Sequence, residues 1–490
     1  MSVRAALRSP TRLRTEVFAG MVTALALIPE TISFSILAGV GPAVGLFTSF
    51  IFAMTIAVVG GRPAMVSAAA GSVALVVAPL VRDHGVDYLI ATVIVAGILQ
   101  IVLAALGVAK LMRFVPHSVM TGFVNALAIL IFSAQLPHLI GVPWLVYPMV
   151  GIGLVIMIAM PRITTAVPAP LVATALLTAA AVVFTLSVPR VGDEGDLSSA
   201  MPLPGLPHVP ITLETLRIIA PYALAVALVG LLETLITQQI VDEITDTPSD
   251  PRRESWGQGV SNIAVGIFGG MGGCAMIGQT MMNVKSCGGR TRISTFVAGL
   301  VLMVLLLFAG PVLAAIPMAA LVAVMIMVSF ATMDWASISP KSLRSMPIGE
   351  TATMLITVAV TVVTHNLAIG VIVGVACAIV LFVRRASDAA HVVGSPSPDD
   401  PDTYLYQVTG ALFFASAGSL AEHFDFANPP RRVVIDLSGA HVWDATTVAT
   451  LDSIRDRFRS NGTDVEIIGL NEPSAQLHSR LTRAETAQIS

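Results

Sequence analysis

The sequence predicts an α-helical protein that crosses a membrane fourteen times, as seven plus seven segments in an inverted repeat, followed by a small cytoplasmic α/β domain. Three observations carry this expectation. Of 490 residues 55% are apolar and only 12% charged, where soluble domains carry about 25% charge, and mean hydropathy is +0.84. Apolar runs of spanning length, about 20 residues, recur along most of the chain. The charges are segregated: between Val17 and Pro189 the only acids are Glu30, Asp83 and Asp87, whereas from Asp399 acids and arginines recur every few residues. A net charge of −3 with no basic face excludes a nucleic-acid partner. Three cysteines, Cys274, Cys287 and Cys377, are an odd number in apolar or glycine-rich settings and read as small buried side chains.

In chain order, residues 1–14 form a cytoplasmic segment whose Arg4, Arg8, Arg12 and Arg14 favour the inner side. No cleavable signal peptide follows. Long apolar runs occupy 17–40, 43–60, 88–109, 118–140, 144–160, 167–188, 216–240, 293–314, 317–333, 350–364 and 366–383. Shorter runs broken by glycine occupy 66–81, 257–270 and 275–287. An even number of passes returns the C-terminal domain to the cytoplasm. The loop Gly192–Pro210, with Asp193, Glu194 and Asp196 and no Lys or Arg, then falls outside. The expected division is a transmembrane domain over 15–384, a linker over 385–402 with Pro, Ser and Gly composition, and a cytoplasmic domain over 403–490. The multi-pass pattern points to the cell (inner) membrane.

Each half opens with an apolar helix bearing one glutamate, Glu30 or Glu233, and contains a short glycine-rich segment, 60–79 or 269–290. Matching broken segments in two halves point to an inverted repeat with a site at the midplane. Glu233 lies in the middle of an apolar run, where a carboxylate costs several kcal/mol unless it faces a cavity or a partner. Thr237 and Gln238 continue its polar stripe by one turn, so Glu233 and Thr237 read as a coupling site for a proton, or alternatively for a sodium ion. Glu30 follows Pro29, which predicts a kink there. Phe34, one turn later, reads as packing or substrate contact.

The run Phe268–Thr280 holds five glycines before Gln279 and cannot be one continuous helix. It predicts a break and then a half-helix from about Ala275, whose free N–H groups would face an anion at mid-membrane. Ser67–Ser72 is the matching candidate in the first half. No metalloprotease helix, paired Cys ligands or phosphate loop is present, so neither an enzyme nor a metal centre is expected. His365 and Asn366 read as a turn with a cap. The tail alternates strands (404–408, 432–437, 465–470) with helices (444–460, 473–483), a mixed α/β sheet domain.

Ala19-Gly, Leu27-Ile-Pro-Glu30, Ala38–Phe47, Gly257–Asn262 and Phe268–Thr280 resemble the sulfate permease (SulP) family of anion transporters. Val434–Ser438 with Trp443–Thr446 resembles its C-terminal STAS domain. The resemblance implies a core bundle and a gate or scaffold bundle, an anion site between the third and tenth segments, and a homodimer. It assigns Glu30 and Phe34 to that site and Glu233 and Thr237 to coupling. Ala275, Met276, Ile277 and Gly278 would form the helix start that faces the anion. Sodium-coupled bicarbonate members carry Asp in place of Glu233, and threonines where this chain has Ala70 and Ile277. Many relatives carry Arg in place of Gln279. These departures favour a proton over sodium. Thr446 falls near the serine that is phosphorylated in bacterial regulators sharing the STAS domain, implying a regulatory partner.

The function expected is thus secondary transport of a small anion (sulfate, bicarbonate or a dicarboxylate), coupled to protons. The rivals are a sodium-coupled bicarbonate transporter, an uncoupled anion channel, a nucleobase transporter and a tail-centred sensor.

Overall fold

The structure, a computed structural model, describes residues 3–110, 115–163, 167–195, 197, 203–397, 400, 402–428 and 430–489. Asp196 of the acidic loop, and Pro398, Asp399 and Pro401 of the linker stretch, lie outside the described residues. The chain divides into two compact units, Met1–Val375 and Ala376–Ser490.

In the first unit α1 (Val3–Leu7) precedes α2 (Pro10–Ala38), α3 (Pro42–Val59), β1 (Ser67–Ala69), α4 (Gly71–His84) and α5 (Val86–Ala105). Then come α6 (His117–Ser133), α7 (Val146–Ile163), α8 (Ala169–Val183), α9 (Leu213–Thr245), α10 (Pro251–Ile267), β2 (Gly273–Ala275) and α11 (Ile277–Met281). A π turn, Met282–Ser286, extends α11. The series closes with α12 (Arg292–Phe308), α13 (Gly310–Ala314), α14 (Met318–Thr332), α15 (Pro340–Ser345), α16 (Ile348–Thr364) and α17 (Leu367–Ser387), within which the boundary between the two units falls.

Among the described residues seven helices are long and apolar enough to cross a membrane: α2, α3, α5, α6 with the turn that follows it, α7, α9 and α17. Four more, α8, α12, α14 and α16, are apolar but shorter. The three other segments expected from the sequence depart from simple spans. Two are strand-then-helix, with glycines beside the strands that weaken a continuous helix. The third, α10, carries Arg252, Arg253, Glu254, Gln258 and Asn262, which lower its hydropathy.

Local chemistry sets the ends of these helices. Thr212 caps α9 by accepting from the Thr215 N–H at 3.2 Å, and Asp250 caps α10 through two N–H groups. α2 stops at Gly39, whose φ of +79° suits a residue without Cβ. It runs as one helix through Pro29. Thr31 and Ser33 hydroxyls donate to carbonyls of the preceding turn, Leu27 at 2.9 Å and Pro29 at 2.7 Å, as buried hydroxyls in helices do. Asn366 caps α17 by accepting from Ala368 and Ile369 N–H, matching the turn expected at His365 and Asn366.

The helices sort into two packed groups. One holds α2, α3, α4, α5, α9, α10 and α12 around β1 and β2; the other holds α6, α7, α8, α14 and α16. Within the first, α5 and α10 approach backbone to backbone. A Cβ at Gly97 would lie 2.6 Å from the Gly259 carbonyl oxygen, and one at Gly259 2.5 Å from that of Gly97. Small residues permit such contact where no solvent drives association. The groups meet where α2 packs on α8 and α14, and α4 on α6.

At the polar end of the first group, Glu254 is fully buried and accepts from Gly61 N–H at 2.6 Å and Arg62 N–H at 2.7 Å. Arg62 reaches Asp242 at 2.9 Å. These contacts hold the chain between α3 and β1 against α9 and α10. Glu254→Ala strands both N–H groups, and an unmet buried donor costs about 1–3 kcal/mol. The variant is therefore expected to lose about 2–6 kcal/mol, seen as a lower thermal midpoint of the intact protein in detergent.

The second unit is a four-stranded sheet in the order β3 (His391–Pro396), β4 (Thr403–Leu412), β5 (Arg432–Val442), β6 (Asp464–Ile468). β3 and β4 are antiparallel, and the other pairs parallel. α18 (Phe414–Leu420), α19 (Ala445–Ser460) and α20 (Glu472–Ile489) complete it. Tyr406, Ile435, Leu437, Leu451 and Phe458 centre the core. Strand β3 lies within the stretch whose composition reads as linker. Gly394 fits there because Tyr404 crowds it, a Cβ lying 2.7 Å from Cε1 of that ring. Pro396 is tolerated at the end of an edge strand. In the turn into β4, the Thr403 hydroxyl and Asp402 N–H bond the Asp400 carboxylate and hold it below the usual carboxylate range.

Candidate functional site

The glycine breaks bring together two strands that are distant in sequence. β1 and β2 pair antiparallel, Ser67 opposite Ala275, Ala68 opposite Cys274 and Ala69 opposite Gly273. In a membrane interior every backbone N–H needs a partner, and side chains supply those the ladder leaves. Ala69 N–H donates to Ser49 Oγ at 3.1 Å, and Ala275 N–H to Thr234 Oγ1 at 3.2 Å. Gly273 N–H donates to Asn262 Oδ1 at 3.0 Å, and Val66 N–H to Thr280 Oγ1 at 3.0 Å. Gly273 must be glycine, because a Cβ there would lie 2.1 Å from the Ala68 carbonyl oxygen.

Each strand runs into a helix start, so the ladder places one at either end. α4 begins after Ala70, which is extended, buried and without a side-chain cap. Phe34 is buried over the next residue, its Cε1 2.6 Å from where a Cβ of Gly71 would stand. α11 begins at Ile277, with Met276 as cap residue. That is two residues later than the sequence expectation, since Ala275 is engaged with Ser67. The first N–H groups of any helix lack intrahelical acceptors. Ile277 is half-buried and Gly278 exposed, with open space where its Cβ would be. Gln279 is buried, as is Glu30 of α2.

Glu233 stands between the two broken segments. Its Oε2 accepts a hydrogen bond from Ser72 Oγ, in the first turn of α4, and one from Cys274 Sγ of β2 at 3.1 Å. Ser72 Oγ and Cys274 Sγ are themselves 3.7 Å apart. One carboxyl on α9 is thus bonded to both the third and the tenth segment, with 9% of Glu233 exposed. Thr237 is fully buried, and its hydroxyl donates to the Glu233 carbonyl at 2.7 Å rather than to the carboxyl.

Sequence reasoning did not single out Cys274, Thr234 or Asn262 for these bonds. Their polar atoms are aimed by tertiary contacts, and only the glycine breaks beside them were legible. Thr446 belongs to the second unit, exposed at the start of α19 beside the Asp444 cap. It lines a hollow of about 270 Å³ with Phe426, Thr450, Ser453 and Arg457.

Comparison with known proteins bears on both units. The sequence profile of the sulfate permease family matches residues 13–151 and 144–357, and that of the STAS domain matches 397–488. "Putative sulfate transporter YbaR" of Bacillus subtilis (strain 168) is 51% identical over 469 residues, 96% of this chain and 97% of that protein. The transmembrane domain of the cyanobacterial bicarbonate transporter BicA superposes with a TM-score of 0.65 at 25% identity, over 74% of this chain and 98% of that one. The murine anion transporter Slc26a9, in its inward-facing state, matches in fold with a TM-score of 0.80 at 15% identity, over 96% and 87% of the two chains.

Proposed function

Because the chain belongs to the sulfate permease family, we propose that it is a secondary active transporter of a small anion, coupled to protons through Glu233. The observation that carries this reading is the single buried carboxyl bonded to both broken segments. Adding or removing its proton changes which hydrogen bonds it makes with Ser72 and Cys274. A protonation event is thereby tied to the geometry of both helix starts. The anion would sit at those starts, lined by Phe34, Ala70, Ala275, Met276, Ile277 and Gly278, with Glu30 and Gln279 at its edge. The first helix group would then move against the second to expose the site on alternate sides.

Cys274 weighs against sodium. Small hard cations take several oxygens, and here a thiol occupies one side of the only carboxylate at the position. Ala70 and Ile277 supply none, and Thr237 directs its proton to a backbone carbonyl. The substrate class is sulfate, bicarbonate or a small dicarboxylate, in line with the relatives named for sulfate and bicarbonate. We place the protein in the cell (inner) membrane as a homodimer, with the N-terminus and STAS domain in the cytoplasm, where a regulator would meet Thr446.

The test is uptake of labelled sulfate, bicarbonate and fumarate into proteoliposomes under imposed pH or sodium gradients. Accumulation with the pH gradient alone supports the proposal. Accumulation with sodium alone, or conduction without either gradient, replaces it with the sodium-coupled or channel reading. Truncation after Ala389, which removes the whole STAS sheet including β3, is expected to leave anion binding in place and to alter turnover alone. Loss of binding, measured by isothermal titration, would assign the tail a part in the site.

A further inference from the structure

A second feature, independent of the transport reading, lies on the outer face of α6 and α14. A groove of about 190 Å³ runs between them, walled by Ile129, Phe132, Phe330, Met333 and Trp335. Phe132, Phe330 and Trp335 are each between a third and a half exposed, yet they are held in place. Phe132 meets Phe330 edge-on at 6.4 Å, and Trp335 stacks on Phe330 at 5.5 Å. The indole N–H donates to the Phe330 carbonyl at 2.8 Å, so the face that Trp335 presents outward is apolar.

The groove is built, not incidental. The turn carrying Trp335 is tied to α6, with Asp334 N–H donating to Asn125 Oδ1 at 2.8 Å and Asn125 Nδ2 to Ser337 Oγ at 2.9 Å. Ser329 Oγ donates to the Ala128 carbonyl at 2.6 Å across the floor. These buried bonds fix both walls relative to each other.

The surroundings say what occupies it. Both walls are membrane helices, so the groove opens toward hydrocarbon, and a stacked Trp at a helix end marks headgroup level. Beyond it, α15 presents Lys341, Leu343 and Arg344, all exposed, and no acid occurs between Trp335 and Gly349. A short helix bearing two cations and an apolar side chain suits an anionic interface. We propose that the groove takes an acyl chain of an anionic phospholipid whose phosphate rests on Lys341 and Arg344.

The experiment is native mass spectrometry of the full-length protein in mild detergent, titrated with phosphatidylglycerol or phosphatidylcholine of identical chains. A roughly tenfold preference for phosphatidylglycerol at the first bound lipid is expected from two juxtamembrane cations. Lys341→Ala with Arg344→Ala should erase the preference, and Ile129→Trp, which fills the groove, should weaken both lipids. A second readout leaves the groove unfilled: phosphatidylglycerol with brominated chains should quench the Trp335 component of the fluorescence, identified as the part lost in Trp335→Phe. Equal binding of the two lipids, a preference that survives the double variant, or no quenching of Trp335 would each overturn the proposal. So would a first bound lipid unchanged by Ile129→Trp while dimers become monomers, since a second copy would then be the occupant.

Discussion

Glu233→Gln abolishes anion accumulation driven by a pH gradient while leaving the protein folded and able to bind anion. The amide has the shape of the carboxyl, and its oxygen still accepts from Ser72 and Cys274, so the ties to α4 and β2 survive in neutral form. What is lost is the ability to gain and release a proton inside the membrane. A rate change of more than tenfold, equivalent to about 1.4 kcal/mol or more, is expected in uptake under an inside-alkaline gradient. Exchange at equal pH on both sides should persist. The check is paired proteoliposome assays with the wild type, together with thermal melts to confirm folding. Gradient-driven uptake at the wild-type level would remove Glu233 from coupling altogether. Cys274→Ser, which swaps a thiol for a stronger hydroxyl donor, is expected to keep uptake but to move its pH midpoint downward, because a better bond to the carboxylate favours the charged form.

The second large effect is structural. Gly273→Ala inserts a Cβ 2.1 Å from the carbonyl oxygen of Ala68 and 2.8 Å from its carbon. Both are backbone atoms in the ladder, so no side chain can yield. Core overpacking typically costs 1–3 kcal/mol, and here the strands themselves must part. The partners of Ala69, Ala275 and Cys274 are then disturbed together. Transport is expected to vanish, with a marked fall in thermal midpoint. Gly278→Ala is the matched control, since its Cβ would enter open space. It should fold as the wild type and raise KM for the anion while sparing the melt. An unaffected Gly273→Ala protein would mean that the pairing of Ser67–Ala69 with Gly273–Ala275 is dispensable.

The comparison of these two glycines shows what was legible in the sequence. The run around Phe268–Thr280 announced a helix break, because glycine density alone forbids a continuous helix. It could not announce that the broken backbone pairs with Ser67–Ala69, since nothing in the local pattern encodes a partner more than 200 residues away. The apolar runs placed the helices well, because hydropathy is local and the membrane reads it directly. Glu233 stood out for the same reason, as an ionisable group where few occur. Thr237, by contrast, looked like its partner from helical spacing but bonds the preceding turn, as buried helical threonines often do. In the tail, β4, β5 and α19 followed from the alternation of strand-like and helix-like stretches. β3 escaped notice because Gly394, Ser395 and Pro396 read as linker, and its pairing with β4 is a tertiary contact that local composition does not encode.

The ladder between the two broken segments also sets the order in which the protein can be made. Val66 finds the hydroxyl for its N–H on Thr280, 214 residues further along the chain. At ribosomal speeds of 5–20 residues per second, that partner emerges on the order of ten to forty seconds later. Throughout that interval an extended stretch with unmet hydrogen-bond donors has no place in lipid. The third segment must therefore wait, at the insertion machinery or at the bilayer surface, until the second half arrives to complete it. Joint insertion of the two half-made elements is then the expected last step of biogenesis, and a chain cut between the halves should be degraded in a pulse-chase instead of accumulating as a stable half-transporter.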